Sequence, residues 1–255
     1  MESVSIIIPV LNKLEMTEKC INHIIKFNTK SIYEIIVFDN GSTDKTQEVL
    51  SNSKDIVYIR SNENLGLSKA YNNAAKLSKY NILCFMHNDV FVYEENWIDR
   101  IRSFISQTPN AGIVGLYGAK KMRKDGSFRG KTIIHAKKDS PSIKRPFENV
   151  AVVDGLFIAA KKNIFEKIEG FNEEFSIHFY DKDISMRALK NGFNNYVLNI
   201  PFEHITASTR KEIAGEDKIR GEAQKRFIEI WGKLMPVDVS TRKEKILYML
   251  MRTYR

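Results

Sequence analysis

The sequence is poor in cysteine and has no long apolar segment. Only two of its 255 residues are cysteines, Cys20 and Cys84, and both lie in apolar patterns. They have neither the spacing of a zinc site nor the density of a disulfide scaffold, so we expect buried free thiols in a reducing compartment. No run is apolar enough to span a bilayer, and the first residues lack the features of a secretory signal. These absences predict a cytoplasmic protein.

Internal repeats and low-complexity tracts are also absent from the sequence. The hydrophobic content of 43% and the aromatic content of 11% are enough for a well-filled core. The length suits one large domain, or one domain with an extension.

The net charge of +9 is concentrated in two segments. Residues 119–149 carry +7 and residues 210–255 carry +5, which leaves −3 for the rest of the chain. This distribution indicates local contact with an anion such as a diphosphate, an acidic glycan or an anionic membrane. Only Phe128 and Phe147 accompany the basic residues of segment 119–149, so no nucleic-acid partner is expected. That segment is either a solvated loop, which we favour, or a mobile acceptor-binding arm.

The first ninety residues alternate between two kinds of apolar pattern. Short buried runs predict strands at residues 4–10, 32–39, 56–60 and 82–86, and helical spacing predicts helices at 14–27 and 67–77. Such β–α units predict an α/β fold with an open, mostly parallel sheet flanked by helices.

Polar residues follow two of these strands directly. Asp39 ends the second strand, and His87, Asn88 and Asp89 follow the fourth. Ligands of open α/β sheets bind beyond the carboxyl ends of strands, where these side chains can hold a metal or a phosphate. Because Asn and Asp also favour turns, the residues alone leave a simple turn as an alternative. Lys69, near the start of the helix predicted at 67–77, can add positive charge to an anion site.

The second half of the chain has another cluster of acidic residues. Asp181 and Asp183 begin a predicted helix that ends near Lys190. Two residues apart, they do not share a helix face, so one can point into a cleft while the other caps the helix. His204 stands alone, and a lone histidine is more often a structural residue than a ligand.

Several segments, in this order, resemble the motifs of glycosyltransferase family 2 enzymes with the GT-A fold. The resemblance covers about residues 4–206 and is carried by Ser5–Asn12, Ile35–Asp44, Asn64–Asn72, Phe85–Asp89, Val153–Gly155, Gly170–Phe175 and Phe179–Arg187. It implies inverting transfer of a sugar from a nucleotide-diphosphate donor, a UDP- or dTDP-sugar, to a glycan or lipid-linked acceptor. Surface polysaccharide or glycoconjugate biosynthesis is the expected setting.

The resemblance also implies roles for individual residues. The nucleotide would contact the loop Pro9, Val10, Leu11 and Asn12, together with Asp39, Lys69 and Asn88. Asp89 matches the last residue of the family's Asp-x-Asp motif and, with His204, would hold a divalent metal, Mn²⁺ or Mg²⁺. Asp181 would be the catalytic base, and Asp154, Gly155 and Asp183 would face the acceptor.

The sequence departs from the family pattern at two positions. His87 replaces the usual Asp or Asn at the start of the metal motif, and Tyr180 stands where the family has Glu before its catalytic Asp. These departures keep open a non-catalytic nucleotide- or glycan-binding module. A sugar-nucleotide pyrophosphorylase is a further alternative, although no Gly-rich, Arg/Lys-bearing signature follows the first strand.

We expect a GT-A domain over residues 1–208, with a nucleotide-binding half at 1–92 and an acceptor-binding half at 93–208. Residues 209–255 form a basic helical extension. Residues 243–255 place apolar side chains on one helix face with Lys and Arg around it. Such a face can contact an anionic membrane from the cytoplasmic side, but packing on protein is commoner for a helix of this length.

Overall fold

A computed structural model of the chain describes residues 3–128, 133–135, 145–205 and 215–245. Its first half alternates strands and helices as the apolar patterns predict. In chain order these elements are β1 (Val4–Val10), α1 (Leu14–Phe27), β2 (Tyr33–Asn40), α2 (Thr46–Leu50), β3 (Val57–Ser61), α3 (Leu67–Leu77), β4 (Ile82–Met86) and β5 (Val90–Val92).

The second half begins with a helix and continues with short strands. Its elements are α4 (Trp97–Gln107), β6 (Ala111–Gly115), β7 (Tyr117–Ala119), β8 (Lys121–Met122), β9 (Ile133–His135), β10 (Phe147–Val150), β11 (Val152–Val153), β12 (Phe157–Lys161), α5 (Lys162–Lys167), α6 (Tyr180–Lys190), β13 (Asn194–Leu198), β14 (Phe202–His204), α7 (Glu216–Trp231) and β15 (Val237–Asp238).

Eight of the strands form one central sheet in the order β10-β13-β6-β12-β4-β1-β2-β3. The pairs β1–β2, β2–β3, β1–β4 and β6–β13 are parallel, and β12 is antiparallel to both of its neighbours. The predicted α/β class with an open, mostly parallel sheet is confirmed. Because β1, β2 and β4 are parallel, their carboxyl ends meet at one edge of the sheet, where the predicted site residues lie.

The central strands are buried because their side chains are apolar on both faces. Every residue of β4 is fully buried, and so are Ile6, Ile7 and Ile8 of β1. One face is covered by α1 and α4, whereas α3 and α6 cover the other. The two cysteines, Cys20 on α1 and Cys84 on β4, are buried free thiols, as predicted.

The described part of the C-terminal extension packs on the rest of the molecule. Phe227 and Trp231 of α7 are buried in the same core as α6, and β15 pairs with β8. Lys120, only 5% exposed, forms ion pairs with Glu148 and Glu244. The expectation of a solvated loop is therefore wrong at the start of segment 119–149, because Lys120 is itself buried there and paired with two partly buried glutamates.

The apolar face predicted for residues 243–255 lies mostly outside the described residues, which end at 245. Within the ranges given above, no helix combines the length and the apolar character that crossing a bilayer requires.

Candidate active site

Two histidines and an aspartate come together beyond the end of β4. His87 and Asp89 lie in the turn between β4 and β5. Strand β14 pairs antiparallel with β5, which places His204 opposite Val90. The N–H of Ile205 also donates to the Asp89 carbonyl oxygen over 2.9 Å. This small second sheet brings His204 from late in the chain to the metal motif predicted after β4.

The ligand atoms of the three side chains converge on a common point. Nε2 of His204 is 3.2 Å from Oδ1 of Asp89, and Nδ1 of His87 is 4.0 Å from the same oxygen. Each of the three residues has one possible ligand atom within 4.8 Å of those of the other two. Oδ1 of Asp89 is buried and has no hydrogen-bond partner in the described part of the chain. The close contact with His204 is therefore not a directed hydrogen bond.

This donor set fits a divalent metal ion. A buried carboxylate oxygen without a partner is costly unless something binds it. Two imidazole nitrogens and one carboxylate oxygen suit transition ions such as Mn²⁺ better than Mg²⁺, which prefers oxygen ligands. The structure thus brings together Asp89 and His204, and it adds His87 as a third candidate ligand.

The start of α6 lies against the same cluster. The Tyr180 hydroxyl is 2.9 Å from Nε2 of His87 and donates to the Gly155 carbonyl oxygen over 3.1 Å. The N–H of Gly155 in turn donates to Oδ2 of Asp181 over 3.2 Å. A methyl group at position 155 would overlap the Tyr180 hydroxyl, so this close approach requires glycine. Hydrogen bonds of Tyr180 and Gly155 therefore connect His87, a candidate metal ligand, to Asp181, the predicted base.

The three other predicted catalytic and acceptor residues differ in exposure. Asp181 and Asp154 are half-buried, and Oδ1 of Asp154 accepts the N–H of Leu156 over 3.1 Å. Asp183 is only 1% exposed and bonds Trp231 Nε1 over 2.9 Å and Arg187 Nε over 2.8 Å.

The contacts of Asp183 separate it from Asp181. Burial raises the pKa of Asp183, against the opposing effects of Arg187 and Trp231. Of the two roles predicted for this residue, contact with the acceptor or support of the site, only support fits a side chain turned toward α7. The structure therefore does not place Asp183 in the cleft, because its two carboxylate oxygens accept hydrogen bonds from Trp231 and Arg187.

The predicted nucleotide residues at the ends of β1 and β2 meet at Ser42. Asn12 donates its N–H to Ser42 Oγ over 2.7 Å, and Ser42 donates its own N–H to Oδ1 of Asp39 over 2.8 Å. The side chain of Asn12 also accepts the N–H of Thr43 over 2.7 Å. In the parallel register Pro9 and Val10 lie beside Phe38 and Asp39. The loop from Pro9 through Leu11 to Asn12 is therefore adjacent to Asp39, as a shared pocket requires.

Asp39 is fully buried and bonded by three neighbours. Oδ2 receives hydrogen bonds from the Tyr58 hydroxyl and from Arg60, which also donates to the Ser42 carbonyl oxygen over 2.9 Å. Burial alone would raise the pKa of Asp39, but the hydrogen bonds from Ser42, Tyr58 and Arg60 outweigh it and lower that pKa. Asp39 is thus a fixed, ionised acceptor at the edge of the sheet.

The two other predicted nucleotide residues, Lys69 and Asn88, are placed differently. Lys69 is exposed on the first turn of α3. The side-chain amide of Asn88 donates to Thr17 Oγ1 on α1 over 2.9 Å. Asn88 thus contacts α1, next to the candidate metal ligands, rather than Asp39 or Asn12.

Sequence reasoning missed Tyr58 and Arg60 as site residues. Tyr58 and Arg60 are two residues apart on β3, so their side chains project from one face of the sheet. Asp39 of β2, which pairs with Arg60, projects from the same face. That spacing was readable in the sequence, but a tyrosine and an arginine on an edge strand usually indicate only a solvated face.

Solved structures with the same fold include two that hold Mn²⁺. This chain is similar to GalNAc-T7 with UDP, GalNAc and Mn²⁺, at a TM-score of 0.66 and 14% identity over 80% of this chain and 44% of that chain. It is also similar to the Pyrobaculum calidifontis mannosyltransferase PcManGT with GDP-Man and Mn²⁺. The TM-score is 0.61 and the identity 14%, over 82% of this chain and 58% of that chain. At these identities the likeness is of fold alone, and it confirms the predicted GT-A fold.

Curated relatives are similar in sequence over parts of their length. The GalNAc(5)-diNAcBac-PP-undecaprenol beta-1,3-glucosyltransferase of Campylobacter jejuni is 28% identical over 69% of this chain. Glycosyltransferase AglE of Haloferax volcanii is 37% identical over 41% of this chain. The chain spans 56% and 36% of the lengths of these two proteins. A PGL/p-HBAD biosynthesis glycosyltransferase of Mycobacterium bovis is 25% identical over 83% of this chain and 77% of its own length.

The model of glycosyl transferase family 2 matches residues 5–169. This range covers well over half of the chain and includes β1, Asp39, the turn after β4 that holds His87 and Asp89, and Asp154. The chain therefore belongs to glycosyl transferase family 2.

Proposed function

We propose that this protein transfers a sugar, with inversion, from a nucleotide-diphosphate donor to a hydroxyl group of a glycan or lipid-linked acceptor. The observation that carries the proposal is the convergence of His87, Asp89 and His204 beside a turn that also holds Asp181. A divalent metal and a general base are the two groups that such a transfer needs on opposite sides of the reacting carbon.

The residues that would hold the metal are His87, Asp89 and His204. Bound there, a divalent ion such as Mn²⁺ would neutralise the charge that develops on the departing nucleotide diphosphate. The side chains of His87 and His204 are about one-fifth exposed, at 20% and 23%. The candidate ligands are thus partly exposed, as binding of a diphosphate requires.

Asp181 is the base in this proposal. Its Oδ2 accepts the Gly155 N–H, and the residue is half-buried rather than enclosed in the core. As the acceptor hydroxyl attacks the anomeric carbon of the sugar, its proton passes to Asp181 while the bond from that carbon to the diphosphate oxygen breaks. Direct attack of this kind inverts the anomeric configuration.

The nucleoside end of the donor would lie against the network of Asn12, Asp39 and Ser42. Arg60 and Tyr58 keep Asp39 ionised but also cover it, so one of them has to move aside before Asp39 accepts a hydrogen bond from the ring N–H of a pyrimidine. Solved structures of the same fold hold UDP or GDP-Man with Mn²⁺. We favour a UDP- or dTDP-sugar because a carboxylate acceptor complements the N–H of uracil or thymine.

The acceptor side of the proposal has support from relatives. The name of the Campylobacter jejuni relative describes a saccharide linked to undecaprenol diphosphate as acceptor. A lipid-linked saccharide of that class would place the reaction at the cytoplasmic face of a membrane, in glycoconjugate biosynthesis. The basic residues 242–255 of the C-terminus would favour an anionic surface of this kind.

Calorimetric titration with UDP and with dTDP, each with and without Mn²⁺, tests the proposed function. We expect at least one nucleotide to bind, and to bind more tightly with Mn²⁺. Asp39→Asn should weaken that binding roughly 10- to 100-fold, the size of one hydrogen bond to a charged group.

Asp55→Asn is the matched control, because Asp55 is an exposed carboxylate in the loop before β3. It should leave the affinity unchanged. If neither nucleotide binds under any of these conditions, the transferase proposal fails and a non-catalytic module replaces it.

A further inference from the structure

The two positions at which the sequence departs from its family contact each other. His87 and Tyr180 are 93 residues apart in sequence, yet Nε2 of His87 lies 2.9 Å from the Tyr180 hydroxyl. The same hydroxyl lies 3.1 Å from the Gly155 carbonyl oxygen. The hydroxyl is thus placed between an imidazole nitrogen and a backbone carbonyl.

The direction of these two hydrogen bonds follows from their chemistry. A carbonyl oxygen has no hydrogen to give, so the hydrogen bond between Tyr180 and Gly155 uses the single phenolic hydrogen of Tyr180. The hydroxyl oxygen then has only lone pairs left for His87. The Nε2 atom of His87 must therefore carry the hydrogen and donate it to Tyr180.

This assignment determines which nitrogen of His87 can bind a metal. A neutral imidazole with its hydrogen on Nε2 has its lone pair on Nδ1. Nδ1 is the atom that faces Oδ1 of Asp89 at 4.0 Å, inside the cluster that includes His204. The opposite tautomer would direct an N–H into the cluster and oppose a cation there.

The Tyr180 hydroxyl is held rigidly in this position. The side chain is only 3% exposed, and its ring packs against Phe171 and Tyr71 at centroid distances of 5.7 and 6.4 Å. Glycine at 155 leaves space for the hydroxyl that any side chain would fill. The backbone of His87 is fixed as well, because its N–H donates to the Leu156 carbonyl oxygen over 3.1 Å.

We infer that Tyr180 is a positioning residue that fixes the tautomer of His87 and thereby makes Nδ1 a ligand for a transition-metal ion. The histidine at 87 and the tyrosine at 180 thus form one functional pair. This inference rests on the proposed metal-dependent function. Removing an outer hydrogen-bond partner of a metal ligand typically weakens metal affinity about 10- to 100-fold.

Titration with Mn²⁺ alone tests the inference without any assay of activity. The concentration of free Mn²⁺ is monitored by electron paramagnetic resonance. Tyr180→Phe keeps the ring and removes only the hydroxyl. We expect its Mn²⁺ affinity to fall about 10- to 100-fold below that of the unmodified chain.

Tyr71→Phe is the control, because it makes the same chemical change in the same aromatic cluster. The Tyr71 hydroxyl is buried and has no hydrogen-bond partner in the described residues, so its loss should leave Mn²⁺ affinity unchanged. Equal affinities of Tyr180→Phe and Tyr71→Phe would overturn the role of Tyr180. If the unmodified chain binds Mn²⁺ and Asp89→Ala does not, the proposed function survives that result. Failure of the unmodified chain to bind Mn²⁺ would overturn both.

Nitrogen-15 chemical shifts of His87 in the metal-free chain give a second readout that does not depend on any variant folding. We expect the hydrogen on Nε2 in the unmodified chain, and a mixture of both tautomers in Tyr180→Phe. A hydrogen on Nδ1 in the unmodified chain would overturn the inference directly.

Discussion

Asp181→Asn lowers the rate of sugar transfer by about 10²- to 10⁴-fold, the usual contribution of a general base. The amide keeps the shape of the side chain and still accepts the Gly155 N–H, but it cannot take the proton of the acceptor hydroxyl. Affinity for the nucleotide and Mn²⁺ should not change. The measurement is the initial rate of nucleotide release in the presence of acceptor, with the donor found by a screen of nucleotide sugars.

Asp183→Asn is the matched comparison, two residues further along α6. Asp183 is buried and paired with Arg187, whose side chain is only 14% exposed, so the variant leaves a largely enclosed guanidinium without its counter-charge. We expect the free energy of unfolding to fall by about 3 to 5 kcal/mol. For Asp181→Asn it should stay within about 0.5 kcal/mol of the starting value. Transfer by Asp181→Asn within tenfold of the unmodified rate would remove Asp181 from the role of base.

Asp89→Ala should abolish Mn²⁺-dependent nucleotide binding and reduce transfer by at least about 10³-fold, comparable to the loss of one strong electrostatic stabiliser. Asp89 supplies the only carboxylate of the three-residue cluster. Two neutral imidazoles do not balance the charge of a divalent ion as a carboxylate does. Because both histidines are nitrogen donors, Mn²⁺ should support more transfer than Mg²⁺ in the unmodified chain.

Asn88→Ala is the control for this variant. It changes the neighbouring residue, whose amide is bonded to Thr17 on α1 rather than directed to the cluster. Its Mn²⁺ affinity should match that of the unmodified chain. Undiminished Mn²⁺-dependent binding in Asp89→Ala would place the metal site elsewhere.

Local sequence pattern was enough to predict most strands and helices of the first ninety residues. The helices at 14–27 and 67–77 and the strand at 82–86 have the predicted bounds, because a continuous apolar run or a 3.6-residue period is sufficient to specify each. Asp39 and the His87–Asp89 turn lie at strand ends for the same reason. The parallel order of β1, β2 and β4 then places them at one edge.

The remaining features depend on contacts that no local pattern contains. The pairing of β14 with β5 brings His204 to Asp89, and it could not be read from three-residue strands. Asp181 and Asp183 look equivalent in sequence, and only Trp231 of α7 distinguishes them. The link between His87 and Tyr180 spans 93 residues, so two apparent departures from the family pattern became one contact only in three dimensions.

Anomalous X-ray diffraction from a crystal grown with Mn²⁺ and the nucleotide selected by calorimetry tests most directly whether His87, Asp89 and His204 hold one divalent ion. We expect a single strong Mn²⁺ peak bonded to Nδ1 of His87, a carboxylate oxygen of Asp89 and Nε2 of His204. A Mn²⁺ peak that contacts the diphosphate but none of these three side chains would contradict this expectation.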